Sequence, residues 1–506
     1  MREFIALVAP LLLAACGGGG CRQVHGHPGV CAFTYPAPTY NVVGYVAGLT
    51  GSGLTLSYNG AAPVAITPNG AITLAMNVPS GTEYSVAIAN QPTNPAQTCI
   101  VSNPSGTIGT FDVSVLVYCP RTVGAWLLVA TAGSITTTSG VASVPGSLST
   151  YAIDASSGAL TLVPGSTIPT GPAVGTVQLV PHSPYVWALS LGDASASDNN
   201  TVSSLYVYSA DATSGLLTAN AGNPFLTLNG TAGTPAACSG TSGPGSTVAV
   251  TFAPSGTFGY DLLKPNLAAN NGGTYVFTLS AGVPQWSGLA VSNDCDTPTV
   301  VDPSGQFAYY GMSFLGVDTL IANTVDSTTG GLTELPGYGP PVMVESGPGP
   351  AEIDPFGRCL YSIRGQLIDG YTIAPFNGGV GGVSGGGMPI TQLTGVMISM
   401  LISPDGQFAY ITASDGLYTY SVDSFGGLHS VGAPVPLQVA GGPPGVTTST
   451  QIDPSGQFLY VSASAGSGQQ GIYAYTRDAS TGALTLVPGS PFAVTSQTVP
   501  LQLALQ

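Results

Sequence analysis

Apolar and polar residues alternate over short stretches along most of this chain. Between residues 40 and 120, five such stretches occur at 42–46, 54–58, 71–74, 84–88 and 113–117. A period of two is typical of β-strands whose two faces differ, and turn pairs such as Asn59-Gly60 and Asn69-Gly70 separate the stretches. No long segment places apolar residues at i, i+3, i+4 and i+7, the pattern of an amphipathic helix. The sequence therefore predicts an all-β protein.

The first predicted folded domain covers residues 40–120. A single sheet with one apolar face needs a second layer to cover that face, so the pattern favours a small Ig-like β-sandwich. Segments 44–54, 97–99 and 115–119 resemble a module of bacterial surface lipoproteins. The simplest interpretation of that resemblance is a spacer or stalk.

Beyond residue 121 one phrase recurs about every 50 residues. Its clearest copies are Asp-Pro-Ser-Gly-Gln-Phe at 302–307 and 453–458, with variants at 253–258, 354–359 and 403–408. Asp or Ser, then Pro, then Gly at the fourth position is the preference of a type I turn, and a strand-like run follows each turn. A fixed period of this length indicates a repeat architecture.

A second phrase follows each copy of the first and occurs seven times. Its copies begin at Tyr151, Tyr206, Tyr275, Ala322, Tyr371, Tyr418 and Tyr473. Units of four short strands with two tight turns predict a seven-bladed β-propeller over residues 121–506. The tail 499–505 is expected to supply the innermost strand of the first blade by pairing with a strand at about 125–131. An open solenoid is the competing interpretation of the repeat.

Segments 453–461 and 478–485 closely resemble the repeats of bacterial lactonase-type seven-bladed propellers, the group that includes 6-phosphogluconolactonase. The resemblance covers residues 120–506 and implies the propeller fold. It also implies lactone hydrolysis as a possible activity. The matching residues belong to turns and blade cores, so the resemblance bears on the fold more than on the chemistry.

The N-terminus has the features of an export signal. An apolar run at 4–13 is too short to span a bilayer as a helix, and small residues precede Cys16. Residues 13–16 resemble a bacterial lipobox, which implies a signal peptide at 1–15, lipidation of Cys16 and a tether at 16–39. Gly17 after the cysteine favours the outer membrane, on its periplasmic or surface side. An ordinary secretory signal is the alternative.

Export permits disulfide bonds, and seven cysteines remain after Cys16. Two predicted pairs are close in sequence, Cys21 with Cys31 and Cys99 with Cys119. Cys238 and Cys295 lie in loops of neighbouring repeats and form a third candidate pair. Cys359 stands where other repeats have an aromatic residue, which predicts a buried thiol. With no CxxC spacing and four histidines, the sequence predicts no metal site and no cofactor.

The formal net charge of −16, with seven lysines and arginines in 506 residues, leaves no basic surface for nucleic acid. In the predicted propeller, the long loops share a face with the central channel and are the expected place for function. Candidate ligand-binding residues there are the cations Lys264 and Arg364 and the acids Asp318, Glu345 and Asp415.

For each of these acids the alternative is a solvated loop carboxylate or a turn cap. None of the four histidines falls in these loops. The favoured hypothesis is a membrane-anchored exported lipoprotein whose propeller serves as a binding or structural scaffold, for a glycan, small-molecule or protein ligand. An extracytoplasmic lactone hydrolase is the alternative.

Overall fold

The computed structural model is all-β, as the alternating pattern predicts. No helix long and apolar enough to cross a bilayer occurs among the residues that the structure describes. The described residues are 38–67, 69–121, 126–131, 146–170, 174–181, 183–190, 204–226, 245–265, 273–291, 298–314, 317–335, 342–344, 351–364, 366–382, 389–395, 397–423, 425–436, 446–464, 470–494 and 500–505. The predicted signal peptide, Cys16, and the pairs Cys21–Cys31 and Cys238–Cys295 lie outside these ranges.

The N-terminal part is a sandwich of two four-stranded sheets. Its strands are β1 (Thr39–Ala47), β2 (Thr55–Tyr58), β3 (Val64–Ala65), β4 (Gly70–Pro79), β5 (Glu83–Asn90), β6 (Ile100–Ser102), β7 (Ser105–Thr107) and β8 (Val113–Tyr118). One sheet has the order β4-β1-β8-β6, with β1 and β8 parallel, and the other has the order β3-β2-β5-β7. Val46, Leu56 and Val117 are fully buried between the sheets, and a disulfide joins Cys99 to Cys119 as the sequence predicts.

The described residues from 126 to 505 form seven further sheets. The first three sheets contain β9 (Trp126–Thr131), β10 (Ser147–Ile153), β11 (Leu160–Leu162), β12 (Ile168–Pro169), β13 (Val174–Leu179), β14 (Tyr185–Ser190), β15 (Ser204–Ala210), β16 (Leu217–Ala219), β17 (Phe225–Leu226), β18 (Gly245–Phe252), β19 (Phe258–Pro265), β20 (Gly273–Ser280) and β21 (Val283–Val291). The next two contain β22 (Val300–Val301), β23 (Phe307–Phe314), β24 (Val317–Val325), β25 (Leu332–Glu334), β26 (Val342–Val344), β27 (Ala351–Ile353), β28 (Cys359–Arg364), β29 (Leu367–Ile373), β30 (Val380–Gly382) and β31 (Pro389–Gln392). The last two contain β32 (Met397–Ile402), β33 (Phe408–Ala413), β34 (Gly416–Val422), β35 (Leu428–Ser430), β36 (Val446–Ile452), β37 (Phe458–Ser464), β38 (Gln470–Arg477), β39 (Leu484–Leu486) and β40 (Phe492–Ala493), and the final strand β41 (Pro500–Leu505) joins the first sheet.

Strand β41 closes the circle. It pairs antiparallel with β9, with Leu503 opposite Val129, so the end of the chain completes the first sheet. On either side β41 neighbours β13 and β36, the innermost strands of the second and seventh sheets. This arrangement agrees with the predicted ring and rules out an open stack.

Each sheet contacts the next sheet of the ring at a Gly-containing turn, which links the third and fourth strands of that next sheet. An aromatic side chain near the start of the second strand of one sheet donates a hydrogen bond to a backbone carbonyl of this turn. The donor and acceptor pairs are Trp126 to Ala212, Trp187 to Gly282, Tyr260 to Gly330, Tyr309 to Gly378, Tyr361 to Gly426, Tyr410 to Gly482 and Tyr460 to Gly158. The last pair connects the seventh sheet to the first, so the same contact is made around the whole ring.

Cys359 lies at one of these contacts, in the position that Phe458 occupies in the seventh sheet. An added Cβ on Gly426 would lie 2.4 Å from the Cys359 sulfur, and one on Gly158 would lie 2.3 Å from the Phe458 ring. Cys359 is 2% exposed and is a free thiol, as predicted. Burial raises its pKa to about 12, so it remains protonated. The thiol is therefore a core residue.

The recurring Asp-Pro-Ser-Gly phrase forms the expected turn between the first and second strands. In the copy at 302–307, the Gly305 amide donates to the Asp302 carbonyl, and the Asp302 carboxylate accepts from the Phe307 amide. We call the end of the propeller that carries these turns the turn face. The sandwich lies against it, because Phe356 from one turn packs with Tyr45 and Tyr118 of the sandwich.

Candidate functional site

Four of the five predicted site residues lie at one edge of consecutive sheets, where the second strand meets the third. Lys264 is near the end of β19, Asp318 near the start of β24, Arg364 at the end of β28, and Asp415 in the turn between β33 and β34. We call this the hairpin edge. Three of the four belong to strands and not to loops, which corrects the loop assignment made from the sequence. Glu345 lies outside the described residues.

Asp415 is exposed, and its carboxylate is already engaged. Its Oδ2 accepts hydrogen bonds from Thr394 Oγ1 at 2.6 Å and from Tyr418 Oη at 2.8 Å. Partial burial opposes ionisation, but these two hydrogen bonds outweigh it and lower the pKa of Asp415. A carboxylate held in its ionised form by two neighbours caps the turn and is a weak base, which favours the structural interpretation.

Other acids of the repeats also have structural roles. Ser156 and Ser157 donate to Asp154, and these hydrogen bonds lower its pKa to about 2. Asp478 is held in the same way by Ser480, and its pKa is also lowered to about 2. Asp261 lies in β19 and is fully buried.

Two arginines are held in ion pairs of the propeller. Arg358 Nε lies 2.7 Å from Asp354 Oδ2, and the guanidinium stacks over Phe356. Arg477 pairs with the Asp405 carboxylate and donates to the Gly456 carbonyl at 3.0 Å. Both side chains are at least nine-tenths buried. Their ion pairs and hydrogen bonds connect neighbouring turns, so these guanidinium groups are not available to a ligand.

A cavity of about 560 Å³ lies between the sandwich and the turn face, and we call it the capped cavity. The ends of innermost strands and a ring of turn prolines form its floor, while the sandwich and the connecting segment form its cover. Its lining residues are Gly48, Asn69, Tyr118, Arg121, Pro181, Thr251, Pro254, Val300, Val301, Pro303, Glu352, Ile353, Pro355, Ile402, Pro404 and Pro454. A volume of this size lies in the range of small-molecule sites.

Glu352 is the acidic residue of this lining. It lies in β27, the innermost strand of its sheet, and faces the cavity beside Ile402. Desolvation raises its pKa to about 8, and a hydrogen bond from the Ile402 amide offsets this only in part. A carboxyl group with such a pKa is protonated at neutral pH and can both donate and accept a hydrogen bond.

Tyr118 and Arg121 approach from the cover. Tyr118 is 9% exposed, and its hydroxyl is buried, with no hydrogen-bond partner among the described residues. Burial and the nearby Asp405 carboxylate raise the pKa of Tyr118 to about 12. Arg121 is exposed at the cavity, yet the surrounding protein desolvates it enough to lower its pKa. Among the described side chains Arg121 forms no salt bridge, unlike Arg358 and Arg477.

Neither Glu352 nor Arg121 belongs to a sequence motif that marks a functional site. An alignment of the repeats by their turn prolines contains the signal for Glu352. Two residues before the turn, the other copies have Thr251, Val300, Leu401 and Gln451, and only this copy has an acid. Arg121 carries no comparable signal, because its role depends on how the sandwich lies on the propeller.

The described residues contain no group of three or more His, Cys, Asp or Glu side chains that could hold a metal ion. The lining contains one titratable acid, one arginine and mostly apolar walls. Such an arrangement can bind and orient a small polar molecule. No nucleophile and base lie within hydrogen-bond distance of each other in this lining.

No protein-family model matches the chain, and no curated protein matches it. Among solved structures, it is similar to a protein from Bacteroides uniformis assigned as a 6-phosphogluconolactonase, with 16% sequence identity and a TM-score of 0.50 over 76% of this chain and 100% of the other. A protein from Bacteroides fragilis with the same assignment matches at 15% identity and a TM-score of 0.50, over 76% and 99% of the two chains. These likenesses show a lactonase-like propeller fold.

Proposed function

We propose that the protein is an exported, lipid-anchored binding protein whose propeller holds a small polar ligand in the capped cavity. The observation that carries this proposal is the cavity itself. Arg121 has no salt-bridge partner there among the described side chains, and the Glu352 carboxyl, which accepts a hydrogen bond from the Ile402 amide, has capacity for further ones. Buried polar groups cost free energy when unpaired, so a ligand that hydrogen-bonds to them gains affinity and selectivity. The sandwich would then be part of the binding site and not merely a spacer.

This proposal can be tested by filling the cavity with a larger side chain. Thr251 lies in β18 and lines the cavity, so Thr251→Trp should occupy the space that a ligand needs. A matched control is Thr218→Trp on the exposed strand β16. Calorimetry with a panel of monosaccharides, sugar acids and peptidoglycan fragments should detect binding to the wild-type protein and to the control. Binding that persists in Thr251→Trp would refute the assignment of the cavity.

The membrane anchor is proposed from the lipobox-like segment and is tested separately. Cells that express the chain and are fed a labelled fatty acid should transfer the label to the protein. Cys16→Ser should prevent labelling and release the protein from the membrane fraction. A labelled Cys16→Ser variant would exclude lipidation at this residue.

Lactone hydrolysis is the second candidate function. The lactonase-like fold suggests it, and the pKa of about 8 at Glu352 favours it, because a general base is most effective when its pKa is near the working pH. If Glu352 activates water, hydrolysis of a sugar or acyl lactone should rise with pH through about 8. Glu352→Gln should then abolish the rate, whereas Asp415→Asn at the hairpin edge should retain it. Equal rates in the wild type and Glu352→Gln would exclude this mechanism.

A further inference from the structure

We propose that the ligand of the capped cavity is a small hydroxylated molecule with a single carboxylate, of which a uronic acid is the simplest test case. Arg121 would hold the carboxylate, and Glu352 would serve a hydroxyl group. This inference rests on the proposed binding function and specifies the chemistry of its ligand.

The charge of the lining points to an anion. The titratable or charged groups that line the cavity are Arg121, Glu352 and Tyr118. At pH 7 Tyr118 is neutral and Glu352 is protonated, so Arg121 alone contributes a full charge. Arg121 forms no salt bridge among the described side chains, whereas Arg358 and Arg477 each pair with an aspartate. One carboxylate on the ligand would neutralise this cation through a charge-assisted hydrogen bond.

The remaining polar group requires a hydroxyl partner. A protonated carboxyl at Glu352 accepts a hydrogen bond from the Ile402 amide and still has a hydroxyl to donate. A purely hydrocarbon acid would leave that hydroxyl desolvated and unpaired, which lowers the affinity. Asn69 is less available, since its side chain already exchanges hydrogen bonds with the Leu49 backbone at 2.9 and 3.1 Å.

The walls limit the size and shape of the ligand. Six turn prolines, together with Val300, Val301, Ile353 and Ile402, give the cavity an apolar lining. The volume of about 560 Å³ suits a molecule of sugar size and not a polymer. A sugar ring presents C–H groups on its faces and hydroxyls at its edge, which matches apolar walls with few polar groups.

Binding should depend on pH through Glu352. Below about pH 8 this residue is neutral and does not repel a bound anion. Above about pH 8 it becomes negatively charged, which opposes the charge of Arg121 and repels the ligand carboxylate. The affinity for an acid should therefore fall as the pH rises, while the affinity for a neutral sugar should change less.

Isothermal titration calorimetry on the full mature protein in detergent tests the inference with a matched pair of probes. D-galacturonate and D-galactose share a ring and differ in one carboxylate. At pH 6.5 we expect galacturonate to bind at least tenfold more tightly than galactose. Arg121→Gln should remove this difference, and the control Glu83→Gln, on an exposed sandwich strand, should preserve it. In Glu352→Gln, the decline in galacturonate affinity between pH 6.5 and 9 should disappear.

Failure of the inference can be told apart from failure of the binding function. Equal binding of both sugars, blocked by Thr251→Trp, would overturn the carboxylate assignment and leave the binding function intact. Galacturonate binding that is unchanged in Arg121→Gln would overturn the role of Arg121. If neither probe binds and no member of the wider panel binds, both proposals are refuted.

Discussion

Replacing Glu352 with glutamine should change how the stability of the propeller depends on pH. In the unfolded chain this carboxyl loses its proton near its ordinary pKa of 4.5, whereas in the folded protein it keeps the proton up to about pH 8. Between these values the folded state binds more protons than the unfolded state. The contribution of Glu352 to the free energy of unfolding is therefore most favourable below pH 4.5 and falls as the pH rises to about 8.

The size of the effect follows from linkage. One pKa unit corresponds to about 1.4 kcal/mol, so Glu352 should lower the free energy of unfolding by about 1.4 kcal/mol for each pH unit inside this window. From the ordinary pKa of 4.5 to about 8, the total is up to about 5 kcal/mol. Glutamine has a similar shape and does not titrate. The stability of Glu352→Gln relative to the wild type should increase steadily from pH 5 to pH 8.

Guanidinium unfolding followed by tryptophan fluorescence measures this difference, because Trp126, Trp187 and Trp286 all lie in the propeller. Other titrating groups are common to both proteins and cancel in the difference. Glu83→Gln on the exposed sandwich strand is the control and should run parallel to the wild type. A difference between Glu352→Gln and the wild type that stays constant from pH 5 to pH 8 would refute a raised pKa at Glu352 and, with it, the charge balance proposed for the cavity.

Three further predictions test the closed ring by the same unfolding measurement. Tyr460→Phe removes the hydrogen bond from the seventh sheet to the first and should lower the free energy of unfolding by about 1–3 kcal/mol. Tyr309→Phe removes the same contact between two internal sheets and should cost a similar amount. A negligible loss for Tyr460→Phe alone would indicate an open junction between the seventh and first sheets. Leu503→Ala truncates a side chain that is 1% exposed in the closing strand and should cost about 2–5 kcal/mol, and a smaller loss would mean that the strand is not firmly docked. Asp405→Asn leaves the buried Arg477 without its counter-ion and should cost about 3–5 kcal/mol, and wild-type stability would show that the pair is dispensable.

Much of the propeller was predictable because its repeated phrases have local physical meanings. Asp302 caps its own turn and Gly305 donates back to it, so a six-residue pattern specifies where one strand ends and the next begins. The place of Cys359 in the repeat likewise predicted its burial. The closing strand was predictable because the repeats leave one strand missing at the start of the ring and one extra at its end. Local rules of this kind act over a few residues and recur in every sheet.

The candidate site was not predictable in the same way. Arg121 and Glu352 are far apart in sequence, belong to different parts of the fold and share no motif. Their proximity to one cavity depends on the packing of Phe356 against Tyr45 and Tyr118, which is a tertiary contact without a sequence signature. Charged residues at the hairpin edge were easier to notice in the sequence. The acid described there, Asp415, is occupied by its own hydrogen bonds.

The position of the sandwich changes what the turn face can do. Tight turns rich in proline offer few unpaired polar groups, and an uncovered turn face would give a small ligand little to bind. Covering that end with a second domain adds a second side to a cavity whose floor includes Glu352. The same cover brings Arg121 and Tyr118 to this space. A surface with a structural role in an isolated propeller thus gains a concave shape and a positive charge, both of which suit the binding of a small molecule.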